Sequence, residues 1–265
     1  MDEFMGAARP LTAAGLQQAT EALGTGAAEI WTVLSVETRG CGFLSDRRPL
    51  ILFERHVFHR ETGGVYDASH PEISCPEPGG YQGGVREYER FLAARALDAH
   101  AALDSASWGI GQVMGYNAGL AGFPSVEAMV AAMIDTEDAQ LAAVAAFLAS
   151  ERLAGFLGQH NWEAFARGYN GSAFARNQYD SRLAACYRKF SAGPLPDLAV
   201  REAQVLLTFL GGNPGVVDGI LGRFTRSAVA QFRQQKGLGA SEDIDDALLA
   251  ALRQSVAGLE RLIPA

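Results

Sequence analysis

Two prolines and a glycine in Ser191-Ala-Gly-Pro-Leu-Pro196 interrupt helix-like apolar periodicity on both sides. Proline lacks the N–H that a helix interior needs and clashes with the carbonyl one turn earlier, so no single helix crosses this stretch. The break divides the chain into residues 1–190, a linker over 191–197 and residues 198–265. Total length agrees, since 265 residues correspond to about 1.8 domains at roughly 150 each.

Thirty acidic against twenty-two basic side chains leave a formal charge of -8, and only two of the basic residues are Lys. A surface that neutralises phosphates should be basic, so nucleic acid is not expected as a partner. The longest strongly apolar run, Leu141 to Leu148, falls well short of the roughly 20 residues that span a bilayer, and membrane insertion is not expected. The start, MDEFMGAARP, lacks a basic segment followed by an apolar one, so no signal peptide is expected. Cys41, Cys75 and Cys186 are too scattered for a disulfide framework or a zinc knuckle. They read as free thiols, with a Cys41–Cys75 bridge as the alternative.

Apolar spacing predicts a helix from Ala27 to Val36, capped by Thr25, with Glu37 on its last turn and Gly40 and Gly42 ending it. Leu50 to Phe53 could be a strand or a helix start, and residues 61–84 read as a long irregular loop. A helical stretch from Val85 to Leu103 ends at Asp104-Ser105. Ser125 should cap a helix to Ile134, Thr136 a longer one to about Phe156, and Asn161 another to Arg167. Ala175 to Phe190 completes the N-terminal part, which is therefore mainly α with a small β or irregular element.

Four segments carry chemistry. Glu37 ends a helix beside Phe43 and Leu44, and an apolar pocket there would raise its pKa as a general acid requires. On this segment alone, a solvated glutamate at a fraying helix end is the favoured reading. Glu54, His56 and His59 lie close together, yet the zinc signature H-E-x-x-H is absent, so paired charges around structural histidines are favoured and no metal or other cofactor is expected. Ser105 to Asn117 offers close backbone approach at Gly109, Gly111 and Gly115, with Trp108 as a stacking face and Gln112, Tyr116 and Asn117 as polar contacts suited to a sugar. Phe165 to Gly171 adds Tyr169 and Asn170 at a helix end.

Taken in order, a helix-terminal glutamate, a glycine-rich segment containing Gln and a Tyr-Asn-Gly turn resemble goose-type lysozymes and soluble lytic transglycosylases. VETRGCGF, RPLILFERHVFHRETGG, SWGIGQVMGYN and FARGYNG more closely resemble the N-acetylmuramidase domain of phage endolysins, over approximately residues 10–190. Thr38, where Ser is commoner, is a mild departure. The resemblance implies a lysozyme-like helical fold, Glu37 as general acid, Glu54 as the leading second carboxylate ahead of Glu61 and Asp46, and a glycan groove lined by Trp108, Gln112, Tyr116, Asn117, Tyr169 and Asn170.

The C-terminal part has a Glu202-Ala-Gln-Val-Leu-Leu207 helix, then Asp218-Gly219-x-x-Gly222-x-x-Thr225, then an apolar stripe at Ala228, Val229 and Phe232. This resembles the small three-helix peptidoglycan-binding domain, with Thr225 expected as a helix cap and Asp218, Gly219, Gly222 and Thr225 as its marker residues. Ser241-Glu-Asp departs from that family's usual second Asp-Gly turn.

Together the resemblances imply an endolysin that cleaves the β-1,4 bond between N-acetylmuramic acid and N-acetylglucosamine and causes bacterial lysis. A lytic transglycosylase forming 1,6-anhydro ends and a non-catalytic wall-binding protein are the alternatives. The expected partner is the peptidoglycan glycan strand and the expected state a monomer, held in the host cytoplasm until a separate export or holin system releases it to the wall.

Overall fold

The computed structural model describes residues 4–37, 41–171, 175 and 177–260. Thr38 and Gly40 therefore lie outside the described residues, as does the side chain of Asn170. Among the described residues the protein is mainly helical with one small sheet.

Helix α1 (Ala13–Leu23) starts at Thr12, whose hydroxyl accepts the Gly15 N–H at 3.1 Å. Helix α2 (Ala27–Glu37) buries Ile30, Trp31, Val33, Leu34 and Val36. Such wide burial makes α2 the central strut of the first domain. Thr25 does not cap it, because its buried hydroxyl meets no partner among the described residues and the helix starts after Gly26.

The ambiguous run after Pro49 is a strand, β1 (Ile51–Phe53), followed by α3 (Arg55–Glu61). Its conformation is decided by pairing far along the chain. Ile51, Leu52 and Phe53 lie opposite Trp108, Ser107 and Ala106 of β2 (Ala106–Trp108), which turns back into β3 (Val113–Met114). All contacts in this sheet are antiparallel, in the order β1-β2-β3.

The irregular loop after α3 is pinned from inside. Asp67 accepts the Ser74 hydroxyl at 2.6 Å and meets His59 Nδ1 at 2.7 Å. Arg90, buried and paired with the fully buried Glu87 at 3.0 Å, donates to the carbonyls of Glu72 and Gly79. Glu87 in turn accepts the backbone N–H groups of Phe53, Gln82 and Gly83. One buried ion pair thus fastens both the strand end and the loop.

The long helical stretch that follows is two helices, α4 (Glu87–Leu97) and α5 (Ala99–Asp104). Asp98 breaks the run by adopting extended backbone and capping α5 through the Ala101 N–H at 2.9 Å. Ser125 and Thr136 cap α6 (Val126–Met133) and α7 (Glu137–Ser150) as expected. Arg152, in the left-handed conformation at φ 58°, separates α7 from α8 (Leu153–Gly158). Asn161 caps α9 (Trp162–Asn170), which runs past Arg167, and α10 (Tyr179–Ala192) leads to the proline-rich break.

Beyond it, α11 (Leu198–Phe209), α12 (Arg223–Lys236) and α13 (Asp246–Glu260) enclose Val205, Leu207, Val229, Leu248 and Leu252. This small core is not sealed from the first domain. Ala8 and Phe43 belong to the same apolar cluster, and Phe43 meets Phe209 edge-on at 6.4 Å. Arg201 of α11 pairs with Glu137 of α7, and neither side chain reaches solvent. The break itself is short and held, with the Asp197 N–H bonded to the Gly219 carbonyl at 3.0 Å.

Candidate active site

A cleft of about 690 Å³ opens where the C-terminus of α2, the β1–α3 junction, the β2–β3 hairpin and α9 converge. It brings together Glu37, Glu54, Gln112, Tyr116, Asn117 and Tyr169. These six come from four stretches of sequence that only folding brings together.

Glu37 is the last residue of α2, and its Oε1 is fully enclosed with no hydrogen-bond donor reaching it among the described residues. Burial pushes its carboxyl up to about 8, opposed by the positive charge of Arg182. The partial negative charge of the helix end acts in the same direction as burial. Arg182 itself donates to the Val36 carbonyl at 3.1 Å, filling one of the acceptors the last turn leaves open. The result is a carboxyl that holds its proton at neutral pH and has a cation nearby to receive the charge when the proton leaves.

Glu54 stands at the N-terminus of α3 without capping it. Its Oε2 accepts the Tyr81 hydroxyl at 2.8 Å and lies 3.2 Å from His56 Nδ1. Burial, then the bond to Glu54, pushes the Tyr81 phenol up to about 12, so it remains a donor. Sequence reasoning missed Tyr81, which lies in the irregular loop and is brought to Glu54 by the Glu87–Arg90 pair. It missed Phe147 and Glu151 as cleft residues too.

Gln112 faces the cleft but spends its amide on the hairpin. Its Oε1 accepts the Ser107 hydroxyl at 2.9 Å, while Nε2 donates to the carbonyls of Gly109 and Leu50 at 2.9 and 3.2 Å. Tyr169 turns its hydroxyl inward onto the Gly111 carbonyl at 2.5 Å and stacks on Phe165. Burial, then Glu37, hold that phenol well above its usual pKa. Both residues shape the walls more than they offer polar contacts. Tyr116, 46% exposed, lines the cleft with Asn117 beside it, and the Arg60 guanidinium lies 5.0 Å from its ring centre.

Trp108, expected as a stacking face, does not line the cleft. It is 0% exposed, donates its indole N–H to the Leu103 carbonyl at 3.1 Å and meets Phe91 edge-on at 5.4 Å. It is a core residue that supports the sheet, and no sugar can stack on it.

In the C-terminal domain the Asp218-Gly219 turn is organised around the buried amide of Gln204. Gln204 accepts the N–H groups of Asp218 and Gly219 and donates to Asp218, Ile220 and Thr225. Gly219 has φ 70°, and a Cβ there would press on Pro196 and Asp197. Thr225 is not a helix cap: Gly222 occupies that position, and Thr225 sits inside α12, 2% exposed and bonded to the Pro214 carbonyl. The exposed large apolar side chains around the turn include Val216, Ile220 and Phe224, with the Arg223 guanidinium 4.6 Å from the Phe224 ring centre.

No three His, Cys, Asp or Glu side chains converge as a metal site among the described residues. All three cysteines are free, so the Cys41–Cys75 bridge is absent. No described helix is long and apolar enough to cross a membrane.

A family profile for N-acetylmuramidase matches residues 26–191, and one for a peptidoglycan binding domain matches 197–252. Among solved structures, the Burkholderia AP3 phage endolysin is similar at a TM-score of 0.64 and 37% sequence identity, covering 69% of this chain and 72% of that one. No curated protein matches the chain. Fold, cleft and matches together define a peptidoglycan hydrolase of the endolysin class. The chain belongs to the N-acetylmuramidase family and carries a C-terminal peptidoglycan-binding domain.

Proposed function

We propose that this protein cleaves the β-1,4 bond between N-acetylmuramic acid and N-acetylglucosamine, with Glu37 as the general acid. The observation that carries this reading is the enclosed Glu37 carboxyl, raised to about 8 on the floor of the cleft. A glycosidic oxygen leaves readily only when protonated, and an acid that keeps its proton at neutral pH can supply it. As the C–O bond breaks, Glu37 takes on the charge that Arg182 stabilises.

Glu54 then serves as the second carboxylate, held by Tyr81, to orient water or to balance the oxocarbenium-like charge. Tyr116 and Asn117 form the open sugar-binding face, with Gln112 and Tyr169 shaping the groove. Residues 198–265 hold the enzyme on the wall, the turn bearing Asp218, Gly219, Gly222 and Thr225 presenting Val216, Ile220 and Phe224 outward. Lysis follows once a separate export or holin system delivers the protein to the wall.

Mass spectrometry of digested peptidoglycan tests the bond. Reducing N-acetylmuramic acid ends are expected; anhydro-muramic ends would instead assign a lytic transglycosylase, and reducing glucosamine ends a glucosaminidase. Glu37→Gln should lose cleavage while still sedimenting with wall, and full activity in that variant removes Glu37 from the mechanism.

A further inference from the structure

The wall-binding domain reaches the catalytic site through a chain of buried polar contacts. Arg201 spans both oxygens of Glu137, at 2.5 and 2.7 Å, with neither side chain exposed. The same two oxygens accept backbone N–H groups of the catalytic domain, Gly42 on Oε1 and Leu11 on Oε2, each at 2.8 Å. Without the guanidinium, Glu137 would be an uncompensated charge in the interior.

Gly42 is the junction that matters. It lies on the segment leaving Glu37, and its carbonyl accepts the Leu50 N–H at 2.8 Å, where the chain enters β1 and runs to Glu54. The Leu50 carbonyl accepts both the Gly109 N–H and the Gln112 amide, tying in the β2–β3 hairpin. One turn along α7 from Glu137, Gln140 donates to the Gly42 and Met133 carbonyls and accepts the Ile110 N–H at 2.8 Å. A Cβ at Gly42 would collide with Gln140 Oε1, so the segment is pressed directly on this support. Three walls of the cleft therefore meet at Gly42 and Leu50, and the outer end of the brace is supplied by the other domain.

We propose that Arg201 is a positioning residue for catalysis: through Glu137 and Gly42, the wall-binding domain helps hold the Glu37, Glu54 and Gln112 walls in register. The proposal rests on the reading of Glu37 and Glu54 as the reacting carboxylates. It makes the C-terminal domain part of the catalytic framework as well as an anchor, because a displacement of about 1 Å in catalytic groups costs on the order of 100-fold in rate.

The test uses full-length protein and a soluble, uncrosslinked glycan strand of alternating N-acetylglucosamine and N-acetylmuramic acid, on which wall anchoring gives no advantage. Arg201→Met removes the brace. Arg201→Lys keeps a positive charge opposite Glu137 but cannot span both oxygens, so it carries the test if the first variant does not fold. Expected is a fall in kcat of about 10- to 100-fold with KM little changed, unaltered cosedimentation with wall, and an alkaline limb of the pH profile moved to lower pH as the enclosure of Glu37 loosens. An unchanged kcat and pH limb in a folded variant overturns the proposal. So does a loss that is equal at every pH and matches the unfolded fraction seen by near-UV circular dichroism, and so does loss of fold in both variants, since each leaves a purely structural bridge. Failure of the Glu37 reading is distinguishable, because activity surviving Glu37→Gln on the same strand would leave the Arg201 effect on kcat standing.

Discussion

Tyr169 donates its hydroxyl hydrogen to the Gly111 carbonyl at 2.5 Å, a bond that ties α9 to the β2–β3 hairpin across the cleft wall. The residues it joins are separated by a long helical excursion, and the Tyr169 end lines the cleft together with the enclosed Glu37. The bond therefore holds the α9 wall of the cleft against the hairpin.

Tyr169→Phe should cost about 1–3 kcal/mol, because it leaves the Gly111 carbonyl without its donor. Urea unfolding measures the loss. Activity should fall with it as the hairpin and α9 separate, and a stability equal to wild type would mean that the bond contributes nothing net.

Glu37→Gln should abolish cleavage and also change stability in a pH-dependent way. The carboxyl titrates near 8 in the fold against 4.5 in an unstructured chain. Between those values the native state binds more protons than the unfolded state, so stability falls as pH rises through the window. Full ionisation costs on the order of 5 kcal/mol, taking roughly 1.4 kcal/mol per pKa unit. The variant should match wild type at pH 4 and exceed it above pH 8, as urea midpoints at the two pH values will show. The wild-type rate should decline on the alkaline side near pH 8.

Tyr81→Phe should lower kcat several-fold with KM nearly constant, since Tyr81 acts on Glu54 by a hydrogen bond at 2.8 Å. Residues that act as one unit are not additive. Tyr81→Phe combined with Glu54→Gln should then be no slower than Glu54→Gln alone, and a further drop in the double variant would place Tyr81 outside this unit.

Trp108→Ala should destabilise the protein by about 3–5 kcal/mol through the cavity left in the core. Its effect on glycan affinity should be no greater than the loss of folded protein. Titration of the folded fraction with a glycan strand separates the two, and a selective affinity loss would restore Trp108 to the groove.

What could be read from the sequence followed from local pattern. The apolar face of Ala27 to Val36 located α2 and put Glu37 at its end, while Ser125, Thr136 and Asn161 announced their helices by side-chain chemistry that acts within three residues. The strand identity of Ile51–Phe53 could not be read because its partner comes more than fifty residues later. Trp108 misled because an indole suits a sugar platform and a core equally well until its surroundings are known. Thr225 misled for a related reason: a hydroxyl near a helix start looks like a cap, yet here it bonds back to Pro214. Arg201 and Glu137 each resemble an ordinary surface charge, and only the packing of one domain on the other reveals a pair with no access to water.

The short, held connection between the domains has a mechanical consequence. An enzyme on a slack leash would sample a sphere around its point of attachment, with a reach set by chain entropy. Here Asp197 is bonded to Gly219, Phe43 is packed on Phe209 and Arg201 is sunk into α7, so the distance between grip and blade is built into the fold. The two domains are set like the jaws of a caliper, with the surface of the C-terminal domain at one fixed offset from the cleft.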